Sequence, residues 1–308
     1  MTRAIRFATQ SGGQPSGAEW LARAKRIEAI GYATLSMPDH MVGGAWAAMP
    51  ALAAAAAVTT TLRLGTLVID NDFRNPVVFA REAATLDVIS GGRFELGIGA
   101  GWFDRDYLGT GIPFDRGRVR VARLAEAVRL MRRLFTEEQV DFAGDFYKTE
   151  RAEVRPKTVQ QPMPPLFIAG AGPQILRLAG READIVAIIP PGIAVREMTA
   201  HDVSMEKMRE QIGVVREAAG ARFEAIELSM FLDCVLTEDR EKTIAEMAAT
   251  AKADPALIRG SAYRGIGSLD EIRRQIAALR DGLGITYFCL RGPDVEKLGP
   301  VVRELAGS

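Results

Sequence analysis

The chain has 308 residues, 48% of them hydrophobic, and its 39 Lys and Arg are balanced by 39 Asp and Glu. A formal charge of zero with interspersed signs argues against nucleic acid or an anionic membrane surface as partner. Cys234 and Cys289 sit in apolar runs without framework spacing, and no 18-residue apolar run or signal-type start occurs, so a soluble cytoplasmic protein with buried thiols is expected.

Ile5–Thr9 is the first predicted strand, followed by an amphipathic helix over Ala18–Ile30 with Trp20, Leu21, Ala24, Ile27 and Ile30 on one face and Gly31 closing it. Ala33–Met37 is the second strand and runs out at Pro38–Asp39–His40. A Gly-rich loop carrying Trp46 leads to a helix over Met49–Thr60. Leu62–Ile69 is the third strand. After the polar loop Asp70–Asn75, Pro76 opens a helix at the position that best tolerates proline, with Val78, Ala80, Ala83, Leu86 and Ile89 along it. The fourth strand begins the stretch FELGIGAGW, Phe94–Trp102. Its small residues Gly97, Gly99, Ala100 and Gly101 leave the backbone nearly bare, which suits close approach of N–H groups to an anion such as phosphate. A tightly packed strand end without a ligand would carry the same pattern.

Strand starts so far recur roughly every thirty residues with a helix after each, the βαβ period of a parallel sheet. The rhythm then loosens. Arg116–Phe135 is a long helix with Val119, Leu124, Val128, Met131 and Leu134 inward, the stripe serving a core or a dimer seam; Arg116, Arg118, Arg120, Arg123, Arg129, Arg132 and Arg133 are expected on a solvated face. Val140–Tyr147 is a small hairpin turning at Ala143–Gly144. Leu166–Ala169, Ile185–Ile189, Ile226–Val235 and Tyr287–Arg291 are the remaining strands. Between them lie helices over Pro173–Gly180, Glu206–Ala219, 239–253 and 269–282, and Val295–Leu305 closes the chain. Pro255–Gly267 is expected to be irregular, a loop or a lid. Eight strand–helix units predict a single-domain α/β (β/α)8 TIM barrel over 1–308, with insertions after strand 4 and before strand 8. A doubly wound open sheet would want a GxGxxG turn in the first βα loop, and none is there.

Active sites of such barrels lie at the C-terminal strand ends. Those ends offer Asp39–His40, Asp70–Arg74, Gly99–Trp102, Ala169–Gly172, Pro190–Pro191 and Arg291–Gly292. His40 is one of two histidines, with His201 at a loop-to-helix start, and an imidazole beside a carboxylate is suited to proton transfer near neutral pH. A structural, loop-capping histidine remains the alternative. No second histidine at metal-ligand spacing and no GxSxG elbow accompany it, which disfavours metal binding and a serine nucleophile.

The segments GYATLSMPDH, LRLGTLVIDNDFRNP, ATLDVISGGRFELGIGAGW, VDFAGDFY and PLFIAGAGP together resemble the luciferase-like monooxygenase superfamily, and most of all its branch that uses the deazaflavin coenzyme F420. The likeness covers about the first 190 residues and is weaker beyond. It implies that Asp39 and His40 lie beside the reactive face of the cofactor ring, His40 as proton donor or acceptor. It implies a bulge with a non-prolyl cis peptide at Leu67–Val68, next to Thr66, that backs the ring. It also implies a phosphate held by Ala100 and Gly101, next to Trp102, and by Ala169, Gly170, Ala171 and Gly172. Some sugar-phosphate dehydrogenases of the superfamily carry a catalytic glutamate where Trp102 stands. No Lys and Arg cluster for a substrate phosphate is evident beyond Arg264 and Arg291, so a more apolar or redox-active substrate is favoured.

The activity implied is hydride transfer between F420 and a small organic substrate, with a homodimer expected. An FMN-dependent monooxygenase on the same barrel stays open, because both cofactors would use one ring shelf and the same phosphate loops. A barrel that only binds flavin, or a sugar-phosphate isomerase on a generic barrel, are further alternatives.

Overall fold

Capping residues mark the ends of several helices. The computed structural model describes residues 3–191 and 198–308. Strand β1 (Arg6–Gln10) leads to α1 (Gly17–Ile30), whose Ser16 side chain accepts from the Glu19 amide while Gly31, at φ 103°, ends the helix in a left-handed turn. Then come β2 (Thr34–Met37), α2 (Ala48–Ala56), β3 (Arg63–Thr66), β4 (Ile69–Asp70), α3 (Pro76–Ser90) and β5 (Phe94–Gly99). The insertion holds α4 (Asp104–Thr110), α5 (Gly117–Thr136) and the antiparallel pair β6 (Val140–Ala143) and β7 (Lys148–Ala152). The chain continues as β8 (Leu166–Gly170), α6 (Pro173–Glu182), β9 (Ile185–Ile188), α7 (Met205–Ala219), β10 (Glu227–Leu236), α8 (Arg240–Ala251), α9 (Pro255–Arg259), β11 (Arg264–Gly267), α10 (Leu269–Leu283), β12 (Ile285–Arg291) and α11 (Gly299–Leu305).

The strands close in the order β1, β2, β3, β5, β8, β9, β10, β12 and back to β1, all parallel, with helices outside. The protein is a (β/α)8 barrel. Most of the hydrophobic core fills the space between strands and helices, from Trp20 and Phe79 to Leu134 and Val302. A smaller cluster of Ala8, Leu67, Phe167, Ile185, Ala187, Tyr287 and Cys289 fills the barrel itself.

Below that cluster the inward residues are charged. Glu95 accepts from Arg6 (2.5 Å), Arg63 (2.8 Å) and the Tyr287 hydroxyl (2.8 Å), and Arg6 also pairs with both oxygens of Glu227. The Arg6 guanidinium lies 3.6 Å from the centre of the Tyr287 ring. Burial alone would raise the Glu95 carboxyl, but Arg6 and Arg63 hold it below its ordinary range. This network forms the floor of the barrel.

Several predicted boundaries shift, each for a local reason. Leu62–Ile69 is two short strands, β3 and β4, with the cis peptide Leu67–Val68 between them. The buried face of α3 runs through Phe79, Ala83, Leu86 and Ser90, so Val78 and Ile89 face outward, one position off the larger phenylalanine. The hairpin lies later than expected: Glu126 accepts the amides of Asp145, Phe146 and Tyr147, making them the turn. Pro255–Gly267 is ordered as α9 and β11, and β11 pairs with the upper half of β10. The last helix begins at Gly299 rather than Val295. The α2 helix stops at Ala56, short of Thr60.

Candidate active site

At the C-terminal end of β2, the backbone turns outward and presents Asp39 and His40. Asp39 is buried, and both its oxygens are occupied: Oδ1 and Oδ2 accept the two Nη groups of Arg74, and Oδ2 also accepts the Asp70 amide (3.2 Å). The carboxylate beside the imidazole is therefore Asp106 and not Asp39. His40 Nδ1 lies 2.6 Å from Asp106 Oδ2, while Asp106 Oδ1 accepts the amides of Met41 (2.8 Å) and Val42 (3.1 Å). The rings of Trp102 and Phe103 both stand edge-on to His40, with centroids 5.9 Å away.

Next to β2, the bulge after β3 packs against bare strand. Thr66 Oγ1 donates to the Gly97 carbonyl (2.7 Å) and accepts the Gly97 amide (2.8 Å). A β-carbon on Gly97 would collide with the Thr66 carbonyl, and one on Gly99 would stand 2.7 Å from Val68 Cγ2. Glycine at both positions is what admits the bulge. The Leu67 carbonyl accepts from Gln10 Nε2 (2.6 Å) and its amide donates to Met37 (2.7 Å). Thr66 and Leu67 are buried and Val68 is partly exposed.

The loop after β5 is held from behind. Arg120 Nε donates to the Ala100 carbonyl (3.0 Å), Nη2 to that of Gly101 (3.2 Å), and Nη1 to that of Asp115. In a trans peptide N–H and C=O point in opposite directions, so the amides of Gly101 and Trp102 face away from Arg120. Gly101 has φ +70°, and any side chain there would overlap the Tyr107 hydroxyl and the Asp70 carboxylate. That hydroxyl lies 3.1 Å from Asp70 and 3.2 Å from Asp72, and Arg123 pairs with Asp72 (2.7 Å). Burial pushes the Asp70 carboxyl up to about 7; the Asp72 amide and Tyr107 offset part of this, and the charges of Asp72 and Asp39 add to it. Arg120 and Arg123 thus leave the solvated face expected for them.

Beyond β5, the loop Gly170–Gly172 follows β8 and opens into α6, whose N-cap Gly172 provides no side-chain cap. Gly170 is buried against Ile175, and Gln211 Nε2 donates to the carbonyls of Ala171 (3.0 Å) and Ile189 (2.9 Å), pinning two strand ends together. Ala169 packs on the barrel-filling cluster. Arg264, Asp233 and Arg291 are register partners on β11, β10 and β12, and Arg291 Nε pairs with Asp233 Oδ1 at 2.7 Å. Cys289 is buried and its thiol is pushed up to about 12 by burial, so it is no nucleophile at neutral pH.

The predicted residues from β2, the bulge and the β5 loop thus form one contiguous cluster, with the β8 loop on the adjoining strand. Asp106, Arg74, Arg120 and Gln211 join the site only through contacts made in the folded chain. For Arg120 a signal existed, since it continues the four-residue spacing of Leu124 and Val128. Asp106 meets His40 across 66 residues and had no local signature.

The family model for luciferase-like monooxygenases matches residues 2–281. The chain belongs to the luciferase-like monooxygenase family. Among family relatives, an F420-dependent glucose-6-phosphate dehydrogenase of Intrasporangium calvum is 40% identical over 168 residues, 52% of this chain and 50% of that one. An FMNH(2)-dependent dimethylsulfone monooxygenase of Pseudomonas putida is 27% identical over 68% of this chain and 53% of its own. In both, the match spans about half of the relative's length. The coenzyme F420 dependent tetrahydromethanopterin reductase of Methanopyrus kandleri superposes with a TM-score of 0.80 over 98% of both chains at 19% identity, a likeness of fold.

Proposed function

We propose that the protein is an F420-dependent oxidoreductase that moves a hydride between the deazaflavin and a small organic substrate. The observation that carries the reading is the Gly97–Gly99–Gly101 series. It makes room for the Leu67–Val68 bulge at one end and keeps the Gly101 backbone free of any side chain at the other. A flat ring with a phosphate-bearing tail needs such a shelf and such a cradle. The names of several F420-dependent relatives support the choice of cofactor.

The residues present fit such a cofactor. Leu67 and Val68 would back the ring with apolar surface. The amides of Gly101 and Trp102, turned away from Arg120, and those opening α6 would meet the phosphate, an arrangement helix starts favour. When bound, the deazaflavin supplies reversible hydride exchange at its ring carbon C5. The chain contributes the rest. Trp102 and Phe103 would border the reacting region, and the aromatic character of Trp102, in place of a proton-transferring glutamate, would favour an apolar substrate. His40 Nε2 would give or take the proton at the substrate heteroatom.

The name of the FMNH(2)-dependent relative keeps flavin monooxygenation as a second reading. Titration of the protein with F420 and with FMN, followed by tryptophan fluorescence, separates them. Micromolar or tighter F420 binding with feeble FMN binding is expected. The reverse preference would replace this reading with the flavin-dependent one, and binding of neither would leave a barrel without redox function.

A further inference from the structure

The side chain of Asp106 is 4% exposed, against 33% for the imidazole it meets. It comes from α4, inside the insertion, and reaches back to the end of β2. Its two oxygens have separate partners: Oδ2 meets His40 Nδ1 at 2.6 Å, and Oδ1 accepts the amides of Met41 and Val42, the two residues after His40. One carboxylate thus holds both the ring and the backbone that carries it.

We infer that Asp106 is a positioning residue that fixes His40 in its Nδ1–H tautomer and leaves Nε2 as the nitrogen that exchanges the proton. The inference deepens the hydride-transfer reading and rests on it. A carboxylate accepts hydrogen bonds and donates none, so Nδ1 must carry the hydrogen and, in the neutral ring, Nε2 must carry the lone pair. Rotation of the ring about its Cβ–Cγ bond would break the 2.6 Å contact, and Trp102 and Phe103 flank the imidazole edge-on. Asp106 is itself secured. Thr110 Oγ1 donates to its carbonyl (3.0 Å), and the neighbouring Tyr107 is buried with its hydroxyl on Asp70 beneath Gly101. The short helix α4 therefore ties the proton-handling ring to the underside of the β5 loop.

The test needs no cofactor at its first stage. The chain contains two histidines, so protein labelled with ¹⁵N-histidine shows two imidazoles, and His201→Gln assigns them. At a pH where the ring is neutral, His40 should show a protonated Nδ1 and a pyridine-type Nε2. In Asp106→Asn the side-chain oxygen still serves the Met41 and Val42 amides, but its NH2 faces Nδ1, and the ring should switch to Nε2–H. A wild-type ring already in the Nε2–H form overturns the inference, as does a ring that stays Nδ1–H in Asp106→Asn. With F420 bound, Asp106→Asn should lower kcat by about 100-fold or more while KM and the F420 dissociation constant stay within about twofold. Asp106→Glu, which keeps an acceptor, should recover part of the loss. An unchanged kcat in a tautomer-switched variant would also overturn it. Because the tautomer is read on the protein alone, failure to bind F420 would sink the proposed function without touching the ring assignment.

Discussion

Gly99 faces Val68 so closely that a β-carbon would stand 2.7 Å from Val68 Cγ2, so the seat of the Leu67–Val68 bulge on β5 depends on the absence of one side chain. Gly99→Ala must push Val68 outward or distort β5. Overpacking of this kind costs about 1–3 kcal/mol. The expected result is a lower urea midpoint together with F420 affinity reduced at least tenfold. A variant with full affinity would show that Val68 does not border the cofactor.

Arg120 grips two carbonyls at the back of the β5 loop and a third at Asp115, before α5. Arg120→Leu keeps the packing of the side-chain stem but frees the Ala100 and Gly101 carbonyls. The loop amides then lose their orientation, and F420 should bind at least tenfold more weakly while FMN-free and F420-free stability falls by about 1–3 kcal/mol. Isothermal titration and chemical unfolding on the same preparation read the two effects separately.

Asp70 should give the fold a pH signature. Its carboxyl titrates near 3.8 when unperturbed and near 7 in the fold. Between these values the native state keeps a proton that the unfolded chain has released. The stability this group contributes is thus full below about pH 4 and is lost as pH rises through about 7, to a limit of about 4 kcal/mol. Asp70→Asn should flatten the dependence and raise the urea midpoint at pH 8 relative to the parent. If both proteins show the same slope between pH 4 and 8, Asp70 does not carry the proton.

Arg74 and Asp39 join the ends of β2 and β4 with a pair whose carboxylate is buried and whose guanidinium is partly exposed. Arg74→Ala leaves the Asp39 charge without its partner, and a loss of about 3–5 kcal/mol is expected. The double variant Arg74→Ala with Asp39→Asn should recover much of this, since the stranded charge is gone. Equal losses in the single and double variants would mean that the pair acts through packing alone.

The barrel was legible in the sequence because its strands and helices alternate with regular caps: Ser16 and Gly31 around α1, or Asn75, Pro76 and Gly91 around α3, act within a few residues of chain. The glycine run at 97–101 was legible for the same reason. What stayed hidden joins distant segments. Asp106 on His40, Arg74 on Asp39 and Gln211 on the β8 loop are matched only after the barrel closes, and no local period encodes them. Adjacency misled in one instance. Asp39 precedes His40 in the chain, yet successive residues at a strand end point to opposite sides, so the neighbour in sequence serves Arg74 while a residue from the insertion serves the ring.

The charged floor built by Arg6, Arg63, Glu95, Glu227 and Tyr287 blocks passage through the barrel. Any two molecules that meet at the C-terminal strand ends must therefore enter from that face alone. The one seated deeper has to arrive first and depart last, so steady-state kinetics should follow a compulsory order, with the outer reactant's product released before the inner partner can be exchanged.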